Sequence, residues 1–115
     1  MDRPIVAELA TYCKIAAPTG EQDAELQQCL DMAIEYVEGQ IGALDVVTKP
    51  ATCREAIFII AKHEFGIRQN PSVRGGQMMG APEGMPSPAG YIIPNRAMTL
   101  IDSLRYYNPD AIGIG

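Results

Sequence analysis

The stretch PATCREAIFIIAKHEFGIRQN, residues 50–70, decides the fold. Pro50 suits the first position of a helix, where its missing N–H is not needed, and Asn70-Pro71 ends the run. Inside it, Ala56-Ile57-Phe58-Ile59-Ile60-Ala61 is apolar on nearly every side. Such a helix has no face to offer water, so it belongs at the centre of a bundle or in an interface. The spacing predicts a helix over about 50–69 with other helices packed around it.

Working outward, the clearest neighbour is a helix over about 21–40. Leu26, Leu30, Ala33, Ile34, Val37 and Ile41 form one apolar stripe, and Gln27, Gln28, Asp31, Glu35 and Glu38 fill the opposite face. Thr19 or Gly20 can cap it, with Glu21 and Asp23 at the positive end of the helix dipole. A first helix is predicted over about 3–15, capped by Asp2 with Pro4 in its first turn, and stopped by Ala17-Pro18-Thr19-Gly20. Leu44, Val46 and Val47 suggest a brief extended piece. Pro94 opens a last helix over about 95–106, with Met98, Ile101 and Leu104 on one face; residues 109–115 read as a flexible tail. The fold class is mainly α: one domain over 1–115, a small four-helix bundle-like unit with room for a short hairpin. A long Gly/Pro/Met-rich loop, 70–93, precedes the last helix.

Composition narrows the function classes. A chain of 115 residues is one domain by length, and 47% apolar residues are too many for wholesale disorder. No apolar run approaches the ~18–20 residues that cross a bilayer, and Met1-Asp2-Arg3-Pro4 does not open a secretory segment. The expectation is a protein made in a cytoplasm and kept there or packaged from it. Cys13, Cys29 and Cys53 are odd in number and far apart, so they read as reduced, core-packed thiols; no metal or other cofactor is expected.

Charge is unevenly placed. Residues 1–45 hold nine acids against Arg3 and Lys14, a balance of −7; residues 46–115 hold five acids against seven bases, +2. The acidic half argues against a general nucleic-acid binder, including a DNA-binding packaging protein of the terminase type. Opposite bias at the two ends suits head-to-tail contact between copies, with Glu35 and Glu38 meeting Arg54, Lys62 or Arg68 of a neighbour.

A search for catalytic patterns finds little. His63-Glu64 begins an H-E-x-x-H motif, but Ile67 stands where the second ligand must be, one helical turn on. Gly75-Gly76 lacks the G-K-[ST] ending of a phosphate loop, and the paired carboxylates of residues 31–38 lie opposite an apolar stripe, as a solvated face does. The expectation is a protein without enzymatic activity.

The loop is the more informative feature. Residues 70–93 hold five glycines, four prolines and three methionines, with only Arg74 and Glu83 charged. Loops beyond about 12–15 residues are usually functional or disordered. Met78, Met79 and Met85 with Tyr91, Ile92 and Ile93 offer adaptable apolar contacts to a partner, joined by Arg96, Arg105 and Tyr106 of the last helix. Alternatively, the loop folds back over its own bundle as an apolar lid.

Three stretches together give a likeness: EQDAELQQCLDMAIEYVEGQIG (21–42), PATCREAIFIIAKHEFGIRQN (50–70) and PAGYIIPNRAMTLIDSLRYYNP (88–109). In that order the chain resembles the gp6-like head-tail connector (head-completion adaptor) family of tailed bacteriophages. The resemblance implies a structural virion protein at the neck, without catalytic residues or cofactor. It would form a ring on the portal protein, extend the DNA channel without sequence-specific binding, and dock the next head-completion or tail protein. The twelve-fold portal makes twelve copies the expected number in the virion, after assembly in the host cytoplasm. The competing reading is a stand-alone helical interaction module or regulator that recruits one partner.

Overall fold

In the computed structural model the chain forms α1 (Val6–Tyr12), α2 (Gly20–Ile41), a 3-10 turn (Leu44–Val46), α3 (Pro50–Gln69), β1 (Gly84–Pro86), β2 (Ile92–Pro94) and α4 (Asn95–Tyr107). Residues 1–69, 84–86 and 92–107 are described, with backbone alone for 84–86, 92, 106 and 107. Most of the long loop and the tail at 109–115 lie outside the described residues. What is described is a mainly helical domain of four helices packed together.

α3 sits at its centre, packing against α1, α2, β2 and α4. Cys53, Ala56, Ile57, Phe58, Ile60, Ala61, Phe65 and Ile67 are all buried, on more of the circumference than one neighbour can cover. The stripe of α2 (Leu26, Leu30, Ala33, Ile34, Val37 and Ile41) is buried against it, as its spacing predicts. α4 contributes Ala97, Ile101 and Leu104 to the same core. α2 runs antiparallel to α3, since Arg68 at the end of α3 reaches Glu25 and Gln28 near the start of α2. α1 runs parallel to α3: Glu8 meets Arg54, and one turn later Tyr12 meets Phe58 and Lys62.

The ends of α2 are chemically closed. Thr19 accepts from the Gln22 N–H at 3.1 Å while the Gln22 side chain accepts from the Thr19 N–H at 2.9 Å, a complete capping box. At the other end Gly42, with φ of 96°, takes a conformation that favours glycine. The Arg105 guanidinium then donates to the Gln40 carbonyl and to the Gln40 side chain, fastening α4 to the terminus of α2.

Two local expectations fail for identifiable reasons. α1 is shorter than the predicted 3–15, and Asp2 does not cap it; Ile5 is the N-cap, with extended backbone, and Pro4 stands ahead of the helix. The Met1 ammonium donates to the Leu44 carbonyl at 2.8 Å, holding the first residues against the 3-10 turn, and the Glu8 carboxylate accepts from the Ile5 N–H. The extended piece expected at Leu44–Val47 is instead that 3-10 turn. Leu44 already gives its N–H to Glu38 and its carbonyl to Met1, so it needs no strand partner.

α1 ends in a Schellman motif, with Ile15 N–H on the Ala10 carbonyl and Lys14 N–H on the Thr11 carbonyl. The left-handed position, φ of 62°, falls on Lys14 rather than on a glycine. A β-carbon there costs about 1 kcal/mol. Lys14→Gly is therefore expected to stabilise the domain by about that amount, read as a melting temperature higher by a few degrees.

β1 and β2 pair antiparallel, with Met85 opposite Ile93. The sequence left room for a short hairpin without placing it; these strands fall largely within residues 70–93, which were expected to be loop throughout. Ile93 is 1% exposed and packs in the protomer's own core. It was expected to face a portal or a neighbour; burial against α3 removes it from any such surface.

Cys29 and Cys53 are buried in the core and Cys13 is half-buried, all as free thiols. Burial disfavours the thiolate and pushes Cys29 up to about 12 and Cys53 up to about 11; it also raises Cys13. Since the thiolate is the reactive form, alkylation of native protein should modify Cys13 first. Cys29 and Cys53 should react only as the fold opens, an order that peptide mass spectrometry reads directly. Labelling of Cys29 at the rate of a free thiol would contradict its place in the core.

Candidate functional site

Ile59, Lys62, His63, Gly66 and Ile67 recur along α3 at spacings of three, four and one, so they lie along one side of the helix. On that side, between α1 on one hand and β2 with the start of α4 on the other, lies an open cleft of about 550 Å³. Ile59, Gly66, Ile67 and Pro94 give it an apolar lining, and Tyr12 from α1 stands at its edge. Lys62, His63 and Arg96 supply its polar atoms.

Each cation of the cleft is held loosely. The Lys62 ammonium lies 5.6 Å from the centre of the Tyr12 ring, a cation–π contact. Arg96, with a side chain 72% exposed, comes only to 4.0 Å of Glu55. Glu55 is engaged first by the Tyr12 hydroxyl, which donates to it at 3.1 Å. Partial burial raises the Tyr12 phenol above its ordinary value, and the Glu55 carboxylate raises it further. His63 is half-buried and has a partner within the protomer.

The basic residues expected at subunit or portal contacts divide into two groups. Arg54 donates to Glu8 at 2.8 Å. Arg68 donates to Glu64 at 3.0 Å, to Gln28 at 2.9 Å and to Glu25 at 3.3 Å, and also touches the Met32 sulfur. Arg105 donates to Asp102 at 2.9 Å and to Gln40. These three fasten one element of the protomer to another. Lys62 and Arg96 remain available, and the fold brings both to the cleft although 34 residues separate them in sequence. On the acidic side, Glu38 is drawn inward to the Leu44 N–H, whereas Glu35 stays exposed on α2.

Met78, Met79 and Tyr91 lie outside the described residues, as do the side chains of Met85, Ile92 and Tyr106. Sequence reasoning missed Tyr12, Ile59, Gly66, Ile67 and Pro94 as a shared surface. The one legible signal was the side of α3 that carries Lys62 and Gly66 four residues apart between two isoleucines.

Among the described residues no three of His, Cys, Asp and Glu stand close enough to hold a metal ion, and no helix is long and apolar enough to cross a membrane. No protein-family model, curated protein or solved structure matches the chain.

Proposed function

We propose that this domain is a helical protein-interaction module, working by binding other protein surfaces rather than by catalysis. The cleft beside α3 carries this reading: it is open, its lining is apolar, and the two cations at its edge are not spent on strong internal pairs. An apolar surface with a charged edge is the usual anatomy of a protein contact. Fluorescence anisotropy with short peptides of apolar core and acidic flank tests it. Saturable binding lost on Lys62→Glu supports the reading, and indifference to that substitution removes the cleft from it.

A more specific form is the phage head-tail adaptor, a ring on the portal at the virion neck. It rests on the resemblance carried by residues 21–42, 50–70 and 88–109, whose described parts include most of α2, all of α3, and β2 with α4. Electron microscopy of the purified protein mixed with candidate portal proteins is the direct test. Rings seated on the portal are expected; a protein that neither forms rings nor binds any portal is a module of another system.

A further inference from the structure

Glu55 marks one end of the cleft. The Tyr12 hydroxyl of α1 donates to its carboxylate at 3.1 Å, and the Arg96 guanidinium of α4 comes to 4.0 Å of the same oxygen. α1, α3 and α4 are thus drawn together one turn before Ile59, where the floor of the cleft begins. From there the floor follows α3 to Ile67, roughly 12 Å at 1.5 Å per residue. Gly66 keeps its outer half open: a β-carbon built there meets nothing within 4 Å. Glycine is less favourable than alanine inside a helix, and the packing of the protomer does not require it at this position.

We infer that the cleft receives an amphipathic helix of a different protein, apolar on the face turned to α3 and acidic along both borders of that face. This rests on the reading of the domain as an interaction module and names the form of its partner. Charge gives the borders. Lys62 stands on the α1 side, over the Tyr12 ring, and Arg96 on the α4 side, so an apolar floor has a cation on either hand. A partner with carboxylates flanking its apolar stripe complements both. Glu55, at 4.0 Å, holds Arg96 loosely enough for such a carboxylate to compete.

Backbone accounting selects a helix over an extended segment. An extended peptide looks to its receptor for main-chain hydrogen bonds. The floor is a helix whose N–H groups from Ile59 to Ile67 are spent within it, and the strand residue in the wall is Pro94, which has no N–H. A helix brings its main-chain bonds with it and needs only side-chain contact. Two of its turns, about 11 Å, cover the floor.

The test is fluorescence anisotropy on the full chain with a synthetic probe of about 14 residues, long enough to form a helix. The probe is alanine-based, with leucines three and four residues apart and glutamates on both sides of that stripe. The protein variants are Gly66→Leu and the pair Lys62→Glu with Arg96→Glu, all at exposed positions, with circular dichroism verifying that each is folded.

Saturable binding to wild type is expected, with a gain of helical signal on mixing. Either variant should bind about tenfold more weakly or not at all. A probe with lysines in place of glutamates should prefer the charge-reversed pair to wild type, which a merely structural effect of the substitutions would not produce. If a proline at the centre of the probe leaves binding unchanged, the occupant is extended; the proposal falls while the interaction reading stands. Equal binding to wild type and Gly66→Leu places the probe elsewhere and overturns the proposal. Self-association of wild type that the probe disperses makes a second copy the occupant, and the proposal falls again. No saturable binding of either the helical or the proline-containing probe removes both the proposal and the cleft from the interaction reading.

Discussion

Replacing Ile60 by aspartate is expected to leave no cooperatively folded protomer at 25 °C. Ile60 is 1% exposed on the helix that every other helix packs against. An unpaired carboxylate there must lose its hydration or take on a proton, and either costs several kcal/mol. Small domains have only about 5–15 kcal/mol in total. Circular dichroism should show the helical signal and its thermal transition largely gone. Ile60→Val, which removes one methyl group, should cost only about 1 kcal/mol and keep a sharp melt. A near-wild-type melt for the aspartate variant would mean that α3 is not central.

The second large effect is expected at Arg68. Its guanidinium joins the last turn of α3 to α2, and Glu64 beneath it is the buried charged residue of the core, 4% exposed. Removing Arg68 takes away a cation that offsets the desolvation of Glu64, which keeps a further interaction in the protomer, whereas removing both at constant volume can be nearly neutral. Arg68 is itself 22% exposed, so Arg68→Ala should fall at the low end of the range for such pairs, about 3 kcal/mol. Glu64→Leu with Arg68→Met should recover most of that loss. Chemical denaturation of the two variants reads the difference. A double variant as weak as Arg68→Ala would mean that the cluster holds the helices through its wider hydrogen bonds rather than by balancing one buried charge.

Much of the fold was legible because it follows from periodicity. α2, α3 and α4 begin and end within one residue of their expected limits, α2 and α4 marked by an apolar stripe and α3 by apolar residues on nearly every side, with Thr19, Pro50 or Pro94 at the start. The failures lie where a distant partner overrides the local pattern. α1 loses its first turn because Met1 is held by Leu44, 43 positions away. Leu44–Val46 has the apolar composition of a strand, yet it is closed as a turn by hydrogen bonds from both sides.

The site was less legible, for a related reason. Residue type identified the cations, but which of them are free depends on contacts across 40 or more positions, such as Arg54 with Glu8 and Arg68 with Glu25. Ile93 illustrates the same limit from the apolar side. Nothing in a Gly/Pro/Met-rich context distinguishes an isoleucine that seats a hairpin on its own core from one offered to a partner.

The fastening on either side of residues 70–91 bears on how this chain can change over generations. Arg68 locks the end of α3, and Ile93 locks the point where the chain returns. With both anchors set by the helices, the closure entropy of the intervening chain grows only logarithmically, about 0.6 kcal/mol for each doubling of length. Insertions and deletions between the anchors, outside the paired residues of β1, therefore leave the bundle nearly as stable as before. A lineage can lengthen or shorten the chain on either side of β1 while the helices continue to fold unaltered.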